Sequence, residues 1–547
     1  MAYRIKILLQ KVCNSRKVMW GITFLFIVMA VVYHYSLRLG FIPNGEDMAS
    51  PLYIYKMEKY TGQVSINNLW DIIAFFAFKM CGVTYTTVRL TFTIWYLVLL
   101  LLMLSLVFKK DEKEKNYIFI LPLFALFMVF LRPVGGFDSW GQLGGDDLII
   151  QWGYDYHYDA RVTAMLCIVF LQFIAKNRES KLLKIFLACS VIYGFYLKDL
   201  TYLVMFIVPF LIVYISRWIK TEKKYNVFVW TIIMGIGFVF LSRFFPGDFF
   251  ERLWSVEPTG QYGYIYGGTN WSDIIGFPQR FFQYVRLILQ FFNVRLGKIP
   301  FISAYTIVYV IKIGLIILGY VHIFRIAVTT IKGNSEKYGY DEIDGILAWS
   351  FILLTIVYLF TDLGGATFSI RYMSGLVSSM TLILCRNIRN GIGIVDQEEV
   401  ADIRHKKVAF VVILTFMCLC YIQKTWKFEA SDSYVKDFEA AIDYIQNNGG
   451  GNGLGRVWAG GRIAAMTGGE VEFYRSYDEL RSFQGEDAKV TYMIADFDNG
   501  TGNEDWLFFD NFSNYWDLCE KYSEPTQVIE YEHFKLLVWK DGIRMQD

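Results

Sequence analysis

Residues 89–108 read RLTFTIWYLVLLLLMLSLVF, and Lys109 and Lys110 follow at once. The only charge in this run is Arg89, at its first position. A helix of about 20 residues rises about 30 Å, the thickness of a bilayer's hydrocarbon core. The run therefore reads as a membrane span, and the paired lysines mark its basic end. The pattern recurs at 18–37, 116–132, 159–176, 182–197, 200–218, 226–244, 303–325, 345–361, 373–388 and 408–424. Several of these runs are short, and Lys198-Asp199 at the turn within 182–218 would suit a shallow hairpin. Composition agrees with a bilayer protein. Of 547 residues, 55% are hydrophobic and 19% charged, where soluble domains carry about 25% charge. Aromatic residues reach 18%, as expected where Trp and Tyr line membrane interfaces.

The formal net charge is +2, so no basic surplus points to nucleic acid as a partner. The eight cysteines include no CxxC pair, which excludes the usual zinc spacing and a disulfide framework. His34, His157, His322, His405 and His533 also show no ligand spacing. The basic N-terminus precedes an apolar run too long for a signal-peptide core, with no small-residue cleavage site after it. It is expected to be a retained first span.

Charge distribution gives an orientation. Basic clusters at Lys109/Lys110/Lys113/Lys115, Lys176/Arg178/Lys181/Lys184, Arg217/Lys220/Lys223/Lys224, Arg325/Lys332/Lys337 and Arg386/Arg389/Arg404/Lys406/Lys407 fall on alternate loops. With about eleven spans, these loops and the N-terminus share the cytoplasmic side. The acids gather in the other, longer loops, 38–88, 133–158 and 245–302. Residues 68–81 and 278–297 within them read as interfacial helices, too short or too charged to cross. An extra span at 278–297 is the other reading, and it would invert everything after it.

The chain thus divides into a transmembrane domain, 1–426, and a soluble extracytoplasmic domain, 427–547. The latter reads as a small α/β domain, with a helix at 433–447, strands at 454–474 and 488–497, and a hairpin-like pair in 526–540. The fold class expected is mainly α, a polytopic helical bundle with a C-terminal α/β domain.

Several polar residues suit chemistry. Glu46-Asp47 lies about ten residues beyond the first span; adjacent carboxylates raise one another's affinity for a proton and suit a proton acceptor. A solvated acidic turn explains the same pair. Asp155 and Asp159 flank Tyr156-His157-Tyr158 ahead of the fourth span, where Asp159 would also favour a helix N-terminus. Asp146-Asp147 with Asp155 offers hard oxygen ligands for a divalent cation. Lys198-Asp199 reads either as a local ion pair or as part of a site. Arg371-Tyr372 opens the tenth span, and a guanidinium there either snorkels or holds a phosphate.

Together these features resemble the GT-C superfamily of membrane glycosyltransferases. The resemblance lies in the acidic first loop and in IIAFFAFKMCGVTYTTVRL leading into the 89–108 span. It also lies in the Arg371-Tyr372 pair and in the tail segment GRVWAGGRIAAMTGGEVEF. The chain departs from the family in having Asp146-Asp147 where Asp-x-Asp is usual, and in lacking the signature motif of oligosaccharyltransferases. The resemblance implies a multi-pass protein of the cell membrane using a polyprenyl-phosphate-linked sugar donor. It implies Asp47, then Glu46, as the base on an acceptor hydroxyl. It further implies Arg371 and Lys198 against the lipid phosphate, Asp155 or Asp159 orienting substrate, and an apolar wall for the prenyl chain. The acceptor, saccharide or protein, is left open. A flippase or polymerase of lipid-linked saccharides and a non-catalytic envelope protein are the alternatives.

Overall fold

The computed structural model describes residues 55–56, 58–60, 62, 69–109, 124, 158–177, 179–197, 199–221, 272, 274–292, 294, 304–361, 373–391, 433–455, 463, 466–467, 471–474, 477–496, 519–520, 522–531 and 534–544, with positions 20, 21, 24, 27 and 28. The helices are α1 (Leu69–Cys81), α2 (Tyr85–Leu106), α3 (Tyr158–Lys176) and α4 (Lys181–Tyr196). Next comes α5, in which Leu200–Tyr202 passes through a π-helical turn, Leu203–Ile207, into Val208–Thr221. Then follow α6 (Phe277–Phe291), α7 (Ala304–Ile331), α8 (Glu342–Phe360) and α9 (Ser374–Gly391). The C-terminal elements are α10 (Ser433–Asn447), β1 (Asn452–Leu454), β2 (Glu472–Tyr474), α11 (Tyr477–Gln484), β3 (Val490–Asp496), β4 (Gln527–Glu530) and β5 (Phe534–Ile543).

The chain divides into two compact units. One comprises Met1–Val32, Tyr96–Pro246 and Gly260–Phe428; the other comprises Tyr33–Trp95, Gly247–Thr259 and Glu429–Asp547.

The first unit is helical. Among the described residues, three helices are long and apolar enough to cross a membrane: Leu200–Ile219, Tyr309–Ile331 and Glu342–Phe360. Each falls where an apolar run predicts one. Thr93–Leu106 is a shorter apolar helix. The helices α2, α3, α4 and α9 also lie on expected runs; the runs at 116–132, 226–244 and 408–424 lie outside the described residues, Phe124 apart. Close approach depends on small residues: a Cβ on Gly194 would stand 2.1 Å from the ring of Tyr202, so only glycine lets α4 meet α5 there. The π-turn has a local cause. Pro209 has no N–H to give the carbonyl four residues back, and a wider turn precedes it. Helix α6 is amphipathic and fifteen residues long, about 22 Å and short of a bilayer's hydrocarbon core.

The second unit holds a five-stranded sheet in the order β2-β1-β3-β5-β4. Pairings β1–β2 and β1–β3 are parallel; β3–β5 and β4–β5 are antiparallel. Alternation along the strands builds two cores. Tyr492, Ile494, Leu536 and Val538 pack with Phe438, Ile442 and Ile445 of α10. Met493, Leu537 and Trp539 pack on the other face with Leu480 and Phe483 of α11. The helix at 433–447 and the hairpin in 526–540 stand where the sequence puts them. The stretch 454–474 does not form one strand: among its described residues the ends pair, and Ile463 and Met466 between them are helical, with Thr467 N–H donating to the Ile463 carbonyl at 3.0 Å. Its small residues allow extended and helical backbone alike, and local pattern does not choose between them.

Candidate functional site

Helix ends sort the polar residues of the first unit into two groups. The basic ends of α2, α3, α5 and α9 meet the start of α8. There Asp341 and Asp344 cap α8 reciprocally, leaving both carboxylates facing the neighbours. Asp344 accepts from Lys109 Nζ at 2.7 Å and from Arg386 Nε at 2.8 Å. Arg386 also donates to Asp341 at 2.6 Å, to Gln172 Oε1 at 2.7 Å and to the Leu106 carbonyl. Lys109 reaches Asn387 Oδ1 at 2.6 Å, and Gln172 Nε2 donates to the Ser105 carbonyl at 2.7 Å. Arg217 binds both Glu336 and Glu342. These contacts draw several sequence-predicted basic clusters to one end of the bundle.

Asp159, Arg161 and Asp199 lie at the other ends of their helices. Asp159 and Arg161 open α3, thirteen and eleven residues before Gln172, or about 20 and 17 Å along the axis. Asp199 caps α5 by accepting from Thr201 N–H at 2.7 Å. It stands about 27 Å along that helix from Arg217. Arg280 of α6 donates through Nε to the Leu359 carbonyl at 2.9 Å, at the end of α8 away from Asp344, where the helix's dipole is negative. Ser272 N–H reaches the Phe360 carbonyl at 2.9 Å. Asp159, Arg161, Asp199 and Arg280 are each no more than 9% exposed. Buried carboxylates and guanidinium groups at the ends of apolar helices are costly and rarely incidental.

Of the residues expected to form a site, Asp159 is described and stands in this group. Glu46, Asp47, Asp146, Asp147, Asp155, Lys198, Arg371 and Tyr372 lie outside the described residues. Asp199 caps α5, and its ion-pair reading involves Lys198, which lies outside the described residues. The contact of Arg280 with the end of α8 and the Asp344–Arg386–Lys109 network escape a sequence reading. A faint signal for the network exists: Asp341 and Asp344 at capping-box spacing ahead of an apolar run. Among the described residues, no three His, Cys, Asp or Glu side chains gather as metal ligands do.

The chain matches no family model, and no curated protein matches it. Among solved structures it is similar to the oligosaccharyltransferase of Archaeoglobus fulgidus, solved with zinc and sulfate. Identity is 12% over 86% of this chain and 68% of that one, with a TM-score of 0.41. A likeness this loose transfers no residue role. What stands is the class: a helical protein with membrane-spanning character and an α/β domain.

Proposed function

We propose that this protein is an integral membrane glycosyltransferase that moves a sugar from a polyprenyl-phosphate donor to an acceptor hydroxyl at the outer membrane face. The observation that carries the reading is the burial of Asp159, Arg161, Asp199 and Arg280 at helix ends away from the basic cluster. Transfer from a lipid phosphate needs both kinds of charge. The acceptor oxygen bonds to the sugar's anomeric carbon as the bond from that carbon to the phosphate oxygen breaks. The acceptor proton goes to a carboxylate, and the electron pair leaves with the phosphate. A guanidinium matches phosphate geometry, and placing it where negative charge develops lowers the barrier most.

In this scheme Asp47, with Glu46 second, takes the proton. Arg371 and Lys198 face the leaving phosphate, Tyr372 beside them, and Asp155 or Asp159 orients the sugar. Asp146 and Asp147 would suit a divalent cation. The outward-facing apolar side chains of α7, among them Ile307, Val310, Ile317 and Phe324, suit membrane lipids and a prenyl chain. The basic end of the bundle would face the cytoplasm by the usual loop bias, with the α/β domain outside.

The test uses full-length protein in nanodiscs with a panel of polyprenyl-phosphate sugars, following release of the lipid phosphate. Release with at least one donor is expected. Asp47→Asn should abolish it while expression and thermal stability hold; wild-type turnover in that variant sinks the base assignment. A flippase for the same lipids is the second reading, favoured by Lys312, an ammonium buried within apolar α7. Its Nζ donates to the Phe292 carbonyl at 2.8 Å. Translocation of the labelled lipid without its cleavage would select that reading.

A further inference from the structure

Helix α6 is held to its neighbours at three polar points, all within the first unit. Arg280 Nε donates to the Leu359 carbonyl at 2.9 Å, near the end of α8. The Tyr284 hydroxyl meets that of Tyr320 on α7 at 2.8 Å and that of Thr355 on α8 at 2.9 Å. Just past the helix, the Phe292 carbonyl accepts from Lys312 Nζ of α7 at 2.8 Å, which places a cation at the negative end of the helix dipole.

These contacts fix how α6 lies. Helices α7 and α8 run antiparallel: a Cβ on Gly345 would stand 3.3 Å from Thr330 Oγ1, and the Tyr320 ring meets that of Phe351 at 5.3 Å. Counted from Gly345 and Thr330, Thr355 and Tyr320 are each ten residues away, about 15 Å, so Tyr284 meets both at one depth. Leu359 is fourteen residues along α8 and Lys312 eighteen along α7, about 21 and 27 Å. Arg280 and Phe292 are themselves twelve residues apart, about 18 Å along α6. A helix parallel to the bundle axis would separate its ends by that whole distance in depth. The levels that hold the two ends of α6 differ by only about 6 Å. The helix therefore lies crosswise, with Tyr284 reaching inward between α7 and α8. Its level is that of the end of α8, whose nineteen residues span about 28 Å, nearly the thickness of a bilayer's hydrocarbon core.

The side chains agree with that placement. At about 100° per residue, α6 shows three faces. Arg280, Tyr284, Leu287, Ile288 and Phe291 are buried against the protein. Phe281, Phe282 and Val285 are exposed on a second face, and Ile274 and Ile275 are exposed in the turn before them. Gln279, Gln283 and Arg286 line the third. A helix packed on a bundle inside the membrane needs a protein face and a lipid face; a polar third face needs headgroups and water. Lipid as the cover of the apolar face follows from α7. Its own exposed residues, among them Val310, Ile317 and Phe324, lie on a helix of span length.

The geometry points to α6 as an in-plane membrane helix whose partner is the phospholipid bilayer. Phe281, Phe282 and Val285 sink into the acyl chains of the leaflet at this end of the bundle, and Gln279, Gln283 and Arg286 turn to the headgroups and water. Helix α6 then adds no crossing, and α7 begins on the side where α6 lies. The assignment is independent of the reaction the protein performs.

The test places trifluoromethyl-phenylalanine singly at Ile275, Gln279, Phe282, Val285 or Ile317 of the full-length protein. Each variant is read by fluorine NMR in phosphatidylcholine nanodiscs. The lipids carry a nitroxide either near the headgroup or at the end of the acyl chain. Positions 275, 282 and 285 should lose their signal to the shallow label and keep it with the deep one. Ile317, midway along α7, should do the reverse. Position 279 should lose its signal to a soluble gadolinium chelate. A spanning α6 would separate 275 from 285 by about 15 Å in depth, so loss at 275 to the shallow label and at 285 to the deep one overturns the in-plane placement. Signals at 282 and 285 that neither lipid label touches overturn the lipid contact. Equal loss at 279 and 282 to the shallow label, with none to the chelate, overturns the three-faced arrangement. Five positions give independent readings, and an unchanged unfolding midpoint marks the variants that fold.

Discussion

Asp344 and Glu472 are both carboxylates held by a lysine and several other donors, yet water reaches their partners to different extents. On edge strand β2, Glu472 accepts from Lys59 Nζ at 2.6 Å, from the Tyr60 hydroxyl, from the Tyr474 hydroxyl at 2.5 Å and from Gln484 Nε2 at 3.1 Å, which holds residues 55–60 of the first loop at the sheet edge. The side chains of Asp344 and Arg386 are fully buried, and Lys109 keeps 15% exposure. Around Glu472 the carboxylate keeps 14% and Lys59 keeps 47%. A dry ion pair gives up its hydration on both sides, so its members depend on one another, and removing either strands a charge. A half-wet pair falls back on water when it opens, so it parts at modest cost. The first arrangement suits a joint that must not move, where the ends of α2, α3 and α9 meet the start of α8. The second suits a fastening that holds a loop and still lets it be released.

The largest effect should come from the dry cluster. Arg386→Met leaves Asp344 with Lys109, the Asn387 amide and the Asp341 N–H, and strips partners from Asp341 and Gln172. It should destabilise the protein by about 3–5 kcal/mol, as for other broken buried pairs, read as a lower unfolding midpoint in detergent. Glu472→Gln should cost about 1.5–3 kcal/mol by the same measurement, the range for a lost hydrogen bond to a charged group. Equal costs would break the distinction between joint and fastening.

Acid separates the fastening from the rest of its own domain. Because Glu472 titrates below its ordinary value of 4.5 when folded, its contribution is complete above that value and is lost as pH falls through the lower, folded one. Below the folded value Glu472 gains a proton on one oxygen and loses the negative charge that Lys59 and Tyr60 are held by. Hydrogen exchange of residues 55–60 should therefore quicken only as pH falls below Glu472's ordinary value of 4.5, before β3 and β5 lose protection, and Glu472→Gln should be flat over that window. An equal acid response in the variant would assign the effect to another carboxylate.

The parts of this molecule legible in the sequence are those governed by local pattern. Apolar runs of span length became α2, α5, α7 and α8 because length and hydropathy alone determine such helices. The short β-branched and apolar runs VIEY and KLLVW became the β4–β5 hairpin for the same reason. Of the candidate site, Asp159 was legible, since an acid opening an apolar helix stands out. The partners of Asp344 and Glu472 were not. Lys109, Gln172 and Arg386 lie far apart in the chain, and Lys59 is one of three lysines in the 38–88 loop. Which charges meet is decided by tertiary packing, and no local spacing encodes it. The stretch 454–474 failed for the opposite reason: its small residues satisfy several patterns at once.

The smallest effect sharpens the comparison at its wet limit. Lys79 meets Glu58 with 53% of its side chain exposed, and Glu58 keeps 26%. This pair ties α1 to the same 55–60 segment that Glu472 holds, so it tests whether position or burial decides the energy. An exposed pair gains little Coulomb energy, must order two long side chains, and is screened by salt. Lys79→Ala should cost less than about 1 kcal/mol, and less again at 0.5 M salt. Exchange of residues 55–60 should change by no more than about threefold, well below the change for Glu472→Gln. A Lys79→Ala variant that freed the segment as fully as Glu472→Gln would show that α1 holds the loop, and that the sheet edge merely lies beside it.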